Sequence, residues 1–229
     1  MRRGAFPVMA RKRKELNLED EFFRTRAEEW ANAMSHLVGL VFGIVGLTLM
    51  CVFAAQRGTA RHVVACAVYG TTLVFMFNSS MLYHLIKPLK VKRVFQIMDH
   101  VSIYLLIAGS YTPFTLLALS PRWGWTIFGI IWGLCVLGVL CDVFYRREWL
   151  AMLVCLIMGW LIALVFKQLC ASLSTAGLAL LVTGGGVYTL GVIFYAMDRV
   201  PYMHTVWHFF VLGGVVCHWV AVTFCLIPG

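Results

Sequence analysis

The amino-acid sequence predicts an all-α membrane protein: a bundle of seven transmembrane helices with a cytoplasmic N-terminus and an external C-terminus. The first observation is composition. Of the 229 residues, 61% are hydrophobic and only 13% are charged, whereas soluble domains are about 45–50% apolar and about 25% charged. The second is a series of long apolar stretches, and the third is an uneven distribution of Lys and Arg. Together they exclude a water-soluble globule, a disordered chain and a nucleic-acid-binding domain.

Seven stretches are long enough to cross a bilayer, which takes about 20 mostly apolar residues in a helix whose backbone hydrogen bonds are all internal. The connections between them are too short to hold another folded domain. We therefore expect one membrane domain over residues 34–229. The spans are predicted at Met34–Ala55, Val63–Ile86, Gln96–Leu119, Trp123–Cys141, Trp149–Phe166, Ala176–Met197 and Tyr202–Ile227.

The basic residues predict the orientation of these spans. Most of the 19 Lys and Arg residues fall before the first span and in the second, fourth and sixth connections. An excess of Lys and Arg in short loops marks the cytoplasmic side. Residues 1–33 are thus predicted to be a basic cytoplasmic segment, either an amphipathic helix on the membrane surface or a basic tail. The protein is expected in the cell membrane, which is the inner membrane if the source is bacterial.

A few ionisable side chains lie inside the predicted spans, where they are costly and usually functional. His84 is near the end of the second span, Asp99 near the start of the third, and His204 and His208 near the start of the seventh. In the predicted topology all four lie within about two helical turns, roughly 11 Å, of the cytoplasmic boundary. Their common depth predicts a single site.

The spacing of these residues favours a metal site. His204 and His208 are four residues apart, so both rings project from one helix face, and His84 supplies a third nitrogen. Three such ligands with an open fourth position are typical of catalytic zinc. Packing, helix capping and haem ligation are the alternatives, although neighbours on one face cannot bind opposite sides of a haem. Asp99 is predicted to hold the water at the metal or to ligate the metal itself. Ser80 lies one turn before His84.

Other residues in the spans are interpreted as structural. His36 and His218 are expected to be core histidines with satisfied hydrogen bonds. The eight cysteines lie singly within apolar stretches and are interpreted as free thiols that pack as small hydrophobic side chains. Two glycine pairs have the GxxxG spacing that permits close helix contact: Gly39 with Gly43, and Gly129 with Gly133.

Five short motifs are spread along the chain, and their combination is more specific than any one of them. They are Glu29-x-x-Asn32-x-x-x-His36, Ser80-x-x-x-His84, Asp99-His100, Tyr111-Thr112-Pro113 and His204-x-x-x-His208. The combination resembles the haemolysin III family, the mostly bacterial branch of the progestin and adipoQ receptor superfamily. This resemblance implies a seven-helix bundle with an intramembrane zinc bound by the three histidines named above. It also implies an acid, matching Asp99, beside the water at the metal, and a serine matching Ser80.

Three functions are open at this point. The superfamily includes alkaline ceramidases, which implies a zinc-dependent hydrolase of membrane-lipid amide or ester bonds. Asp99 would then be the general base, and Ser80 would hydrogen-bond the oxyanion or the water. The family name implies a haemolysin or pore-forming cytolysin, which needs a polar lining along several helices. The third function is a receptor or regulator of membrane lipid composition in which zinc is structural. The expected partner is a membrane lipid, as substrate or ligand, and not a nucleic acid.

Overall fold

The helical architecture agrees with the sequence prediction. The computed structural model describes residues 24–145, 147–197 and 199–229, so most of the predicted N-terminal segment lies outside the described residues. Seven of the described helices are long and apolar enough to cross a membrane. The α-helices that form these spans are α1 Arg26–Arg57, α2 Ala60–Leu85, α3 Leu89–Pro113, α4 Pro121–Tyr145, α5 Glu148–Trp160, α6 Thr175–Ala196 and α7 Met203–Ala221. The spans of α3, α5 and α7 continue to Ala118, Ser172 and Leu226.

Three helices change their pitch before they end. α3 continues as a π-helix over Phe114–Ala118, and α7 continues as one over Val222–Leu226. α5 passes through a 3-10 segment, Leu161–Val165, into a last α-helical stretch, Phe166–Ser172. In α3 the change follows Pro113, which has no N–H to continue the α-helical hydrogen bonds.

Two helices begin seven or eight residues earlier than the apolar pattern predicted. α1 starts at Arg26 because Thr25 and Glu28 form a capping box: the Glu28 N–H donates to the Thr25 hydroxyl, and the Glu28 carboxylate accepts from the Thr25 N–H. α3 starts at Leu89, just after Pro88. The polar residues near these ends therefore belong to regular helix, which fixes the directions of their side chains.

The buried face of α1 changes in character along its length. It is polar over the first turns, with Glu28, Asn32, Ser35 and His36, and consists mostly of Gly and Ala further on. A Cβ added at Gly39 would overlap the ring of Phe77 in α2. The close contact predicted for the first glycine pair is therefore confirmed, and it brings α1 and α2 together beside the polar turns.

The second glycine pair behaves differently. A Cβ at Gly129 or Gly133 would meet nothing within 4 Å in the described chain, and both residues are exposed on α4. The prediction of a close helix contact there is wrong within this chain. Spacing alone does not tell which face of a helix meets a neighbour.

The spans differ widely in how far they are enclosed by protein. In the most apolar window of each span, 67% of the residues of α3 and 56% of those of α2 are buried, against 11% for α5. The largest fully buried side chains include Tyr69 and Phe77 of α2 and Tyr104 of α3. The core therefore lies around α2 and α3, while α5 faces mostly outward.

Candidate metal centre

Three histidines meet at one end of the bundle, where α1, α3 and α7 begin and α2 ends. His84 lies next to the last residue of α2, and His204 and His208 lie in the first two turns of α7. One ring nitrogen from each histidine lies within 4.8 Å of the corresponding nitrogens of the other two. All three residues are buried. The three ligands predicted from the sequence are thus brought together.

The unsatisfied nitrogens of this cluster fit a metal ion. His84 Nε2 and His204 Nδ1 are buried and have no hydrogen-bond partner among the described residues. A buried polar atom without a partner costs about 1–3 kcal/mol, so two such atoms on neighbouring rings need a reason. Three imidazoles converging on one point form the donor set that zinc prefers, with a fourth position left open.

The other nitrogen of His84 is held by α1. His84 Nδ1 lies 2.7 Å from Glu29 Oε2, and Lys92 Nζ donates to Glu29 Oε1 at 3.0 Å. A carboxylate accepts hydrogen bonds, so Nδ1 carries the ring proton and Nε2 is the nitrogen with a free lone pair. Lys92 also donates to the carbonyl oxygen of Tyr83 at 3.1 Å.

His208 is held in a similar way by another residue of α1. Its Nδ1 lies 2.9 Å from Ser35 Oγ and 3.3 Å from the carbonyl oxygen of Asn32. The Ser35 hydroxyl donates its own proton to that carbonyl at 2.7 Å. The histidine nitrogen must therefore be the donor to Ser35, which leaves His208 Nε2 with the free lone pair.

The two remaining intramembrane histidines differ from each other. His36 stacks on His208, with ring centroids 3.6 Å apart, and neither of its nitrogens has a hydrogen-bond partner among the described residues. The interpretation of His36 as a satisfied core histidine is therefore wrong. His218 agrees with that interpretation at one nitrogen, since its Nε2 lies 3.2 Å from the Leu181 carbonyl oxygen.

A cavity of about 950 Å³ adjoins the cluster. Ser80, Asp99, His204 and His208 line it at the histidine end, and it extends along the bundle to His218. His218 lies fourteen residues beyond His204 on α7, about 21 Å along the helix axis. Among the described residues the group of mutually close ligand atoms comprises the three histidines. Asp99 lines the same cavity as His204 and His208 but lies outside that group.

Comparison with known proteins identifies the family. The family described as "Haemolysin-III related" matches residues 24–219 of the chain. The chain belongs to the haemolysin III family. This haemolysin III protein is 41% identical over 203 residues to "Hemolysin-3" of Bacillus cereus, covering 88% of the chain and 93% of that relative. It is 40% identical over 205 residues to "Hemolysin-3 homolog" of Bacillus subtilis (strain 168), covering 89% and 94%.

A more distant relative is the human "Monocyte to macrophage differentiation factor". It is 29% identical over 209 residues, covering 85% of this chain and 83% of the relative. Family membership and the seven spans together show that the haemolysin III protein is a multi-pass protein of the cell membrane.

The part played by α1 in this haemolysin III protein was missed by the sequence analysis. Glu29 and Asn32 were quoted in a motif, but neither they nor Ser35 were assigned a role in the site. A signal was present: at about 100° per residue, Glu28, Glu29, Asn32, Ser35 and His36 fall within an arc of about 120°. An apolar span that opens with a polar face of this kind indicates partners on neighbouring helices.

Proposed function

We propose that this haemolysin III protein is a zinc-dependent hydrolase of amide or ester bonds in membrane lipids. The observation that carries the proposal is a buried cluster of three histidines that opens onto a large cavity lined by a serine and a carboxylate. Structural zinc sites are closed, with four protein ligands, whereas catalytic sites keep three protein ligands and an open position. A cavity that reaches His204 and His208 supports the second kind.

His84, His204 and His208 would hold the zinc. When bound there, the ion supplies Lewis-acid polarisation of the scissile carbonyl and activation of a water molecule. Each histidine would contribute one nitrogen, Nε2 for His84 and His208. The buried position of the rings excludes bulk water from all directions except the cavity.

Asp99 is the proposed general base. Its carboxylate takes a proton from the water as the water oxygen adds to the carbonyl carbon. It then gives that proton to the leaving nitrogen or oxygen as the bond to the carbonyl carbon breaks. The products are a fatty acid and an amine or alcohol. Ser80, which lines the same cavity, donates a hydrogen bond to the oxyanion that develops on the carbonyl.

The shape and position of the cavity support a lipid substrate. Its volume of about 950 Å³ is at the upper end of the range for ligand pockets, about 300–1,000 Å³. Its lining includes Leu106, Leu156, Val192 and Val211, which suit a hydrocarbon chain. Charged lining residues such as Glu29 and Asp99 lie at the histidine end, where a headgroup and the scissile bond would lie.

The proposal includes the orientation predicted from the basic residues. The histidine end of the bundle is also the end at which α1 begins, because Glu29 and Ser35 of α1 contact His84 and His208. With a cytoplasmic N-terminus, the site lies beneath the inner leaflet. A lipid would then reach it by lateral movement from that leaflet.

The test is a comparison of two carboxylate variants of the purified protein in lipid nanodiscs. Zinc is measured by mass spectrometry, and fatty-acid release is measured from a panel of ceramides, phospholipids and acylglycerols. We expect Asp99→Asn to retain zinc and to lower the rate by about 10²–10⁴-fold, the usual contribution of a general base. The matched control is Asp142→Asn, a buried carboxylate of α4 paired with His100 at 3.6 Å, which should keep most of the activity.

The result that would overturn the proposal is a wild-type protein that binds zinc stoichiometrically and releases no fatty acid from any lipid class. Equal loss of activity in the two carboxylate variants would show that general damage, rather than loss of a base, explains the effect.

Cytolysis is a second candidate because the Bacillus cereus relative is named "Hemolysin-3". Its test is leakage of a trapped dye from liposomes that contain the purified protein. Rapid leakage that persists in Asp99→Asn would favour a pore. Intact liposomes together with fatty-acid release would favour the hydrolase.

A further inference from the structure

We infer that Glu29 is a positioning residue of the metal centre: its carboxylate, anchored by Lys92, fixes the ring of His84 so that Nε2 is presented to the ion. The inference rests on the metal-binding part of the proposed function and does not require hydrolysis. Glu29 belongs to α1, which carries none of the three proposed ligands, so its effect on the metal would be transmitted through His84.

The geometry of the Glu29 contact is that of a strong hydrogen bond. The distance of 2.7 Å between His84 Nδ1 and Glu29 Oε2 is in the range of charge-assisted bonds. The His84 side chain is 0% exposed and that of Glu29 is 17% exposed, so water competes little for the bond. A metal-binding histidine usually donates its second ring N–H to such a carboxylate, which sets the tautomer and the ring orientation.

Lys92 completes the arrangement from α3. Its ammonium group donates to the second oxygen of Glu29 at 3.0 Å and to the Tyr83 carbonyl at 3.1 Å, and it lies 4.8 Å from the centre of the Tyr83 ring. Lys92 is 6% exposed. Each oxygen of Glu29 thus has one partner, so the carboxylate cannot rotate without losing an ionic contact.

The same helix holds a second proposed ligand through a weaker group. Ser35 accepts from His208 Nδ1 at 2.9 Å, and it is a neutral hydroxyl rather than a carboxylate. Hydrogen bonds to charged groups are roughly twice as strong as neutral ones. Removal of Glu29 is therefore expected to weaken metal binding more than removal of Ser35.

The experiment measures zinc affinity by competition with a chelator, and the absorption spectrum of the cobalt-substituted protein. Loss of an outer hydrogen-bond partner typically lowers metal affinity by about 10–100-fold. We expect a loss of that size for Glu29→Ala, a smaller loss for Glu29→Gln, which keeps an acceptor oxygen, and the smallest loss for Ser35→Ala. The cobalt spectrum, which reports ligand geometry, should change in the same order.

Two further variants separate positioning from general stability. Asp142→Asn changes a buried carboxylate of α4, which lies 3.6 Å from His100, and should leave zinc affinity unchanged. Glu29→Gln with Lys92→Met removes both charges at once, which avoids a buried lysine charge that has lost its carboxylate and so destabilises a single variant. This double variant should fold, as judged by its thermal transition without metal, and should bind zinc more weakly than wild type, by at least as much as Glu29→Gln alone.

The outcomes distinguish this inference from the proposed function. Wild-type affinity and an unchanged cobalt spectrum in the folded double variant would overturn the inference. If the Glu29 variants bind zinc more weakly and the wild-type protein hydrolyses no lipid, the inference is supported and the hydrolase is refuted. A wild-type protein that takes up no metal would overturn both.

Discussion

The two walls of the cavity are built differently. On one side, α1, α2 and α7 are joined by hydrogen bonds between side chains at the histidine end, such as Glu29 with His84 and Ser35 with His208. On the other side, the wall includes α5, a helix that faces mostly outward. Only 11% of the residues in its most apolar window are buried, and the helix changes to 3-10 geometry at Leu161–Val165.

The difference suits the proposed function, in which fixed chemistry is combined with access for a lipid. The proposed metal ligands would have to be held to a fraction of an ångström, and the bonded wall holds two of them, His84 and His208, by hydrogen bonds. A substrate that arrives from the bilayer needs a wall that packs less tightly. Changes on the bonded wall should therefore alter metal binding and the rate of hydrolysis. Changes on the opposite wall, formed by α5 and α6, should alter which lipid acyl chains the cavity accepts.

The largest effect is expected from removal of two ligands on the bonded wall. His204→Ala with His208→Ala leaves one of the three clustered histidines, so stoichiometric zinc binding should be lost. The measurement is zinc content of the purified protein by mass spectrometry. The control is His62→Ala, at the opposite end of α2, where the ring accepts from the Thr59 N–H. Zinc retained in the double variant would refute the site.

The next effect tests two adjacent serines of α2. Ser80→Ala removes the proposed oxyanion donor and should lower kcat by about 10²–10³-fold with zinc content unchanged. Ser79 is as deeply buried but does not line the cavity, so Ser79→Ala should behave like wild type. Similar rates in the two variants would remove Ser80 from the mechanism.

The third prediction compares the two glycine pairs. Gly39→Ala forces a methyl group against the ring of Phe77 and should destabilise the protein by about 1–3 kcal/mol, as overpacking of a core does. Gly133→Ala enters open space and should leave the thermal transition unchanged or raise it slightly, since Ala is the better helix former. Thermal unfolding in detergent checks both. Equal shifts would mean that the contact between α1 and α2 is not tight.

The smallest effect is expected on the loosely packed wall. Gly185 of α6 lines the cavity, and a Cβ there would meet nothing within 4 Å, so Gly185→Leu should fold and narrow the cavity. The rate of hydrolysis of long-chain substrates should fall by about tenfold relative to that of short-chain substrates, which is the discrimination that about one methylene group produces in an apolar pocket. Gly186→Leu is the control, because Gly186 also has open space but does not line the cavity. The same preference for acyl-chain length in both variants would contradict the proposed lipid path.

The fold was largely predictable because the bilayer permits few solutions. All seven spans follow from length and hydropathy, but their ends do not. Hydropathy underestimated the length of α1, since the capping box of Thr25 and Glu28 starts the helix among polar residues that precede the apolar stretch. The 3-10 segment of α5 depends on packing that no local pattern records. The cytoplasmic location of the N-terminus stays a prediction from the positive charges.

The candidate site was partly predictable for a similar reason. Successive spans cross the membrane in opposite directions, so the number of spans fixes the end of the bundle at which His84, His204 and His208 lie. Their position at the same end therefore follows from the sequence. The rotation of each helix about its axis is set by packing, and it decides that Ser35 meets His208 and that His36 stacks on the same ring. These contacts were therefore missed, as was the outward direction of Gly133.

The contributions of α1, α2 and α7 to one cluster also determine when that cluster can form during synthesis. Glu29 and His84 are inserted early, whereas His204 and His208 arrive with the last helix, whose preceding residue Tyr202 has a left-handed backbone and donates its N–H to Glu28. Until that helix docks, a nascent chain holds only one of the three imidazoles. A metal at the proposed site would therefore load late in biogenesis, and its uptake would report that every helix has reached its place.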